Sequence, residues 1–173
     1  MKRALLIIDM LKGFCAPGNP LYCGGSVFDI IPYIVRIARE FRDAGDPIIF
    51  LCDRHKPDDP EFKVFPEHCI EGTEQAEIIE ELSEFLEGST IIPKTRFSGF
   101  YNTDLEKVLR RMKVEEVHVV GLCTNICVLY TVEELRNRDY RTVVHQAAVA
   151  SFDRSAHRFA LEQMESVLGA ELV

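Results

Sequence analysis

Six short apolar, β-branched runs recur along the chain: ALLII (4–8), PIIFLC (47–52), TIIP (90–93), VHVVGL (117–122), TVVHQAA (142–148) and AELV (170–173). Between them lie patterns of helical period near 27–44, 74–86, 103–112, 125–138 and 153–168. Strands separated by helices cannot pair through tight hairpins. Each crosses over to a parallel neighbour, and the crossing segments cover both faces of the sheet. Strands buried on both faces read as continuous apolar runs, as these do. The pattern predicts an α/β fold: a three-layer α/β/α sandwich on a six-stranded, mainly parallel, doubly wound sheet.

Punctuation agrees. Gly45 and Gly88 follow helical patterns, Asn102 or Thr103 can cap the helix that begins TDLEKVL, and Asp153 can cap the last. No repeat, low-complexity segment or linker interrupts the pattern, so residues 1–173 are read as one domain. The least regular stretches, 12–26 and 54–73, are long for strand-to-helix connections, and long loops on such a scaffold often carry function.

Charge narrows the partners. With 20 basic against 28 acidic residues and a net of −8, the chain is a poor match for nucleic acid or an anionic membrane. The apolar run in MKRALLIIDM ends at Asp9, too early for a signal peptide or a membrane span, so the expected location is cytoplasmic. Six cysteines in an intracellular chain read as buried, catalytic or metal-binding thiols rather than disulfides.

Open α/β sheets bind ligands beyond the carboxyl ends of their strands. There the sequence places Asp9 after strand one, Asp53-Arg54-His55 after strand two, Lys94 after strand three and Cys123 to Cys127 after strand four. If Thr124 caps the helix, Cys127 falls in its first turn. The helix dipole would then ease ionisation below the reference pKa of about 8.5. Burial as a small hydrophobe is the competing reading for Cys127, and packing is the simpler one for Cys123. Asp9 ends an otherwise apolar strand, where a carboxylate is costly unless paired or functional. Lys94 can pair with it, either as a structural ion pair or as part of a Cys/Asp/Lys set.

Asp53 and His55 are two apart in extended chain and point the same way. A carboxylate beside an imidazole suits zinc, iron or manganese, and His68 in FPEHC would complete three protein ligands. Glu61 in the same loop could contribute directly or through water. A surface histidine bridged to Asp53 is the plainer alternative. His118, His145 and His157 have no comparable partner and are read as core or surface residues.

Four stretches, ALLIIDM, DRH with FPEHCIEGTEQAEI, KTRFSGFYNTDL and VVGLCTNICVLYTVEEL, together resemble the isochorismatase-like cysteine hydrolases, and within them the nicotinamidases. The resemblance spans nearly the whole chain in order. It implies Asp9 as general base, Lys94 as its cationic partner and Cys127 as nucleophile. It also implies a cis Leu122–Cys123 peptide, with the backbone N–H groups of Cys123 and Cys127 forming the oxyanion hole. Asp53, His55 and His68 map onto the ligands of one divalent ion, zinc before iron or manganese, with Glu61 matching a further ligand in some nicotinamidases. Phe14, Phe65 and Phe97 fall where pocket aromatics lie.

The activity implied is metal-dependent hydrolysis of nicotinamide to nicotinate and ammonia through a thioester. The partner is a small amide, and the chain could form a homo-oligomer. Leu11-Lys12-Gly13 and Phe65 depart from the usual family residues, which bears on ring selectivity. The competing readings are an amidase of the same superfamily with another small amide, a receiver-like phosphoacceptor with Asp53 as acceptor, and a catalytically silent binding module.

Overall fold

The computed structural model describes residues 1–173. Six strands form one sheet: β1 (Arg3–Ile8), β2 (Ile48–Asp53), β3 (Thr90–Lys94), β4 (Glu116–Leu122), β5 (Arg141–Ala150) and β6 (Glu171–Leu172). Their order is β3-β2-β1-β4-β5-β6, and every neighbouring pair is parallel. The chain winds outward from β1 through β2 to β3, then returns to the middle at β4 and winds the other way. The switch point between β1 and β4 opens a crevice above their carboxyl ends.

Alternate residues of the strands feed two cores of similar size. On one face Leu5, Ile7 and Phe50 meet α2 (Ser26–Ala44), which buries Val27, Ile30, Ile34, Ile37 and Phe41 at helical spacing. On the other face Ala4, Leu6, Ile8 and Leu51 meet three helices: α3 (Leu105–Met112), α4 (Leu129–Asn137) and α5 (Arg154–Ser166). A four-residue helix, α1 (Lys12–Cys15), lies in the first long loop. The α/β/α sandwich expected from the pattern is therefore present, with a sheet that is parallel throughout. No helix is long and apolar enough to cross a membrane.

The helix expected over 74–86 does not form. Two 3₁₀ segments, Glu74–Ala76 and Glu80–Phe85, stand there, separated by extended chain. That extended chain is captured by the first loop: Lys12 N–H donates to Glu77 C=O at 2.9 Å, Ile79 N–H donates to Met10 C=O at 3.1 Å, and Leu11 bridges Ile78. Ile79, Leu82 and Phe85, all buried, recur every three residues, the 3₁₀ period rather than 3.6.

Elsewhere the expected ends hold to within a few residues. Gly45 takes φ 71° at the end of α2, and Asp153 caps α5 by accepting from Ser155 and Ala156 N–H. Before α3, the Thr103 hydroxyl accepts from Leu105 N–H at 3.2 Å. At the centre of the sheet, Gly121 has φ +116°, and an added Cβ would lie 2.0 Å from Ile8 C=O. Only glycine lets β4 lie this close to β1.

Candidate active site

Four chains of bonds converge above the β1/β4 switch point. Asp9 follows β1 in a left-handed conformation, φ 52°, which turns its carboxylate back over the sheet. Its Oδ1 accepts the backbone N–H of Asp53, the last residue of β2, at 2.8 Å. Lys94, the last residue of β3, sends its ammonium across the strand ends. Nζ donates to Asp53 Oδ1, to the Arg96 carbonyl at 3.2 Å and to the Cys127 sulfur at 3.4 Å. It also forms an ion pair with Asp9 Oδ2 at 2.8 Å. Asp9, Asp53 and Cys127 each offer an atom within 4.8 Å of the others. All four side chains are buried.

Burial and crowding set the charges. Burial pushes the Asp9 carboxyl up, and Asp53 adds to this against the opposing pull of Lys94, leaving it at about 6. Burial also raises Asp53, but Lys94 and the two nearby imidazoles overcome it and hold this carboxyl well below the usual range. Lys94 stays charged, because Asp53, Asp9 and Cys127 together outweigh its burial.

The thiol of Cys127 runs against the expectation of easy ionisation. Burial drives it well above its ordinary value, Asp9 and Asp53 add to the shift, and Lys94 only partly offsets them. Residues 124–128 form a π-helical turn ahead of α4, with no side-chain cap. Thr124 is not a cap, and its hydroxyl lies 2.8 Å from His157 Nδ1 instead. Burial thus favours the neutral thiol, and it stands beside a carboxylate that shares the Lys94 ammonium with it, an arrangement suited to passing one proton between them.

Beside this cluster, Asp53, His55 and His68 present donor atoms within 4.8 Å of one another. His55 Nε2 and His68 Nε2 lie 3.6 and 3.7 Å from Asp53 Oδ2, and Glu61 Oε1 lies 3.8 Å from His68 Nε2. Both rings are turned by their other nitrogen: His55 Nδ1 lies 2.9 Å from Asp59 Oδ2, and His68 Nδ1 lies 2.8 Å from Pro66 C=O. His55 Nε2 and Glu61 Oε2 are buried without a hydrogen-bond partner. Unpaired buried imidazole nitrogen facing a carboxylate is costly in a dry interior, and a divalent cation resolves that cost. The donor set fits such an ion.

A cavity of about 170 Å³ opens over both clusters, with Asp9, Cys127, Asp53, His68 and Glu61 on its floor. Phe14, Phe65 and Phe97 line it, Phe65 and Phe97 meeting edge to face at 6.1 Å. Cys123 reaches its wall through a cis peptide after Leu122. The departures Leu11-Lys12-Gly13 lie in the neighbouring loop, where an added Cβ at Gly13 would meet Cys69 Sγ at 2.9 Å. They hold the segment next to His68 rather than line the cavity.

Several neighbours went unread in the sequence. Cys23 and Phe152 line the cavity, and Cys23 Sγ lies 2.9 Å from Cys123 Sγ. Phe62 packs on both His55 and His68, at 5.4 and 5.5 Å. Phe152 comes two residues after β5, so the strand-end rule could have found it. Cys23 and Phe62 lie in the two long loops, with no signal beyond that.

Comparison with known proteins identifies the family and the fold. The isochorismatase domain model matches residues 3–172. The crystal structure of a nicotinamidase/pyrazinamidase from Bacillus subtilis superposes with a TM-score of 0.95 at 38% identity, covering 100% of each chain. A pyrazinamidase of Pyrococcus horikoshii in complex with zinc superposes at 0.93 and 29% identity, covering 100% of this chain and 99% of that one. Nicotinamidase 1 of Arabidopsis thaliana is 30% identical over 174 residues, 88% of this chain and 71% of its own. The chain belongs to the isochorismatase family, among its nicotinamidase-like, amide-hydrolysing members.

Proposed function

We propose that this protein hydrolyses nicotinamide to nicotinate and ammonia in the cytoplasm, with Cys127 as nucleophile and one divalent ion at Asp53, His55 and His68. One observation carries the reading: the Cys127 thiol, the Asp9 carboxylate and the Asp53, His68 and Glu61 side chains line a single aromatic-walled cavity, and His55 completes the ligand cluster with Asp53 and His68. Zinc is the proposed ion, in line with the Pyrococcus horikoshii relative. Bound there, with Glu61 as a further ligand, it would supply a Lewis-acid anchor for a pyridine nitrogen.

The chain's own groups account for the chemistry. Phe14, Phe65 and Phe97 flank the ring and bring the carboxamide carbon to Cys127. Asp9 takes the thiol proton as sulfur attacks, and Lys94 steadies the resulting negative charge. The backbone N–H groups of Cys123 and Cys127 receive the tetrahedral oxyanion, where one such donor is worth roughly 3 kcal/mol. Asp9 then returns the proton to departing ammonia. A water molecule, deprotonated by the same carboxylate, cleaves the thioester and frees nicotinate.

The test is ammonia release from nicotinamide, measured with the metal content of the same preparation. Release is expected from the native protein, to be lost in Cys127→Ala and to fall sharply on chelation. Undiminished release from Cys127→Ala overturns the nucleophile. A second reading, an amidase for another small amide, draws on a structural neighbour, the N-carbamoylsarcosine amidase of Thermoplasma acidophilum (TM-score 0.89, 30% identity). A panel of pyridine, pyrazine and carbamoyl amides separates the two.

A further inference from the structure

Asp59 lies four residues beyond His55, outside the expected ligand set, yet its side chain is only 7% exposed. Its Oδ2 stands 2.9 Å from His55 Nδ1. Its Oδ1 accepts the backbone N–H of Glu61 at 2.9 Å, at the start of the 3₁₀ turn Pro60–Lys63. Arg96 Nη1 donates to both oxygens, at 2.9 and 3.2 Å, and lies 3.6 Å from Glu61 Oε2.

The chemistry of imidazole gives these contacts a direction. A neutral ring carries its proton on one nitrogen and its ligating lone pair on the other. A carboxylate at Nδ1 holds the proton there, so the lone pair sits on Nε2, the buried nitrogen without a partner. His68 is oriented in the same way by the Pro66 carbonyl, a backbone group that no side-chain substitution removes. His55 depends on a side chain. The same carboxylate also fixes the backbone of Glu61, whose Oε1 faces His68.

We propose that Asp59 is a positioning residue, which locks His55 as an Nε2 donor and holds Glu61 over the same hollow, with Arg96 bracing it from the rim. This rests on the metal-site reading above. Loss of such an outer carboxylate typically weakens metal binding about 10- to 100-fold.

The experiment titrates metal-free native protein and Asp59→Ala with zinc against a chromophoric chelator. Nitrogen-15 spectra of the histidine side chains are recorded on both metal-free proteins. The expected result is a 10- to 100-fold weaker zinc affinity and a redistribution of the His55 proton between Nδ1 and Nε2, with the His68 signals unchanged. Asp59→Asn, whose amide oxygen can still accept from Nδ1, should recover part of the affinity, and it replaces the alanine variant if that fails to fold. Native-like affinity with an unchanged His55 pattern overturns the assignment of Asp59 alone. Failure of the native protein to bind zinc, manganese or iron overturns the metal reading and this proposal with it.

Discussion

The backbone N–H of Asp53 donates a 2.8 Å hydrogen bond to Oδ1 of Asp9. One residue thus offers its carboxylate to the imidazole cluster while its amide fixes the carboxylate beside the thiol. With Oδ2 ion-paired to Lys94 at 2.8 Å, the Asp9 carboxylate is tethered at both oxygens to the ends of two other strands.

Activity should follow the ionisation of Asp9. Burial first, and then the charge of Asp53, raise this carboxyl to about 6. A base works only when deprotonated, so kcat/KM should rise with pH and level off above about 6, falling tenfold per unit below. An ion held by Asp53 offsets the second cause and moves the limb lower. A rate profile from pH 4 to 8 checks this, and an acidic limb above pH 7 would contradict it.

Lys94→Met should cost about 3 to 5 kcal/mol of stability, the usual consequence of leaving buried charges without their partner. With the cation gone, Asp9 is raised further and Asp53 loses the largest force that holds it down. Stability is then retained in acid and lost as pH rises through the raised values. Urea unfolding at pH 5 and pH 8 should show the larger deficit at pH 8; equal deficits would argue against this charge balance.

Gly121→Ala should destabilise by more than about 3 kcal/mol or prevent folding. Its methyl would meet the Ile8 backbone at 2.0 Å, and φ +116° is closed to side chains. Thermal unfolding is the measurement. Gly18→Ala, at φ +91° with open space around its Cβ, serves as the control that isolates backbone strain from the clash.

Phe97→Ala should raise KM for nicotinamide about tenfold with a smaller change in kcat, because the ring lines the cavity and carries no group that can move a proton or bear charge. Steady-state kinetics separate the two parameters. A loss confined to kcat would place Phe97 in the chemistry instead.

The sheet was legible because its signal is local: the central strands β1, β2 and β4 are largely apolar runs, and the polar residue that ends a run marks the ligand side. Asp9, Asp53 and Lys94 come together at these ends, and the turn after β4 brings Cys127 to them. The failures have a shared origin in long-range contact. Residues 74–86 carry a helical pattern, but the Met10 and Lys12 backbone captures the chain there. Position in the first turn after a strand suggested an acidic thiol at Cys127, while its acidity is governed by burial and two carboxylates from other strands. The Cys23–Cys123 contact joins residues a hundred positions apart, and nothing near either one announces it.

Gly121 presses β4 against β1, and β1 lies between β2 and β4. The strand that precedes the other five in the sheet is therefore a central one, and it waits for β4, from residue 116 on, before its second edge is paired. Until then the nascent chain exposes an open, apolar border, the kind of surface that recruits other chains. A truncated product ending before β4 should be aggregation-prone as well as inactive, because the inner edge of β1 then stays unpaired.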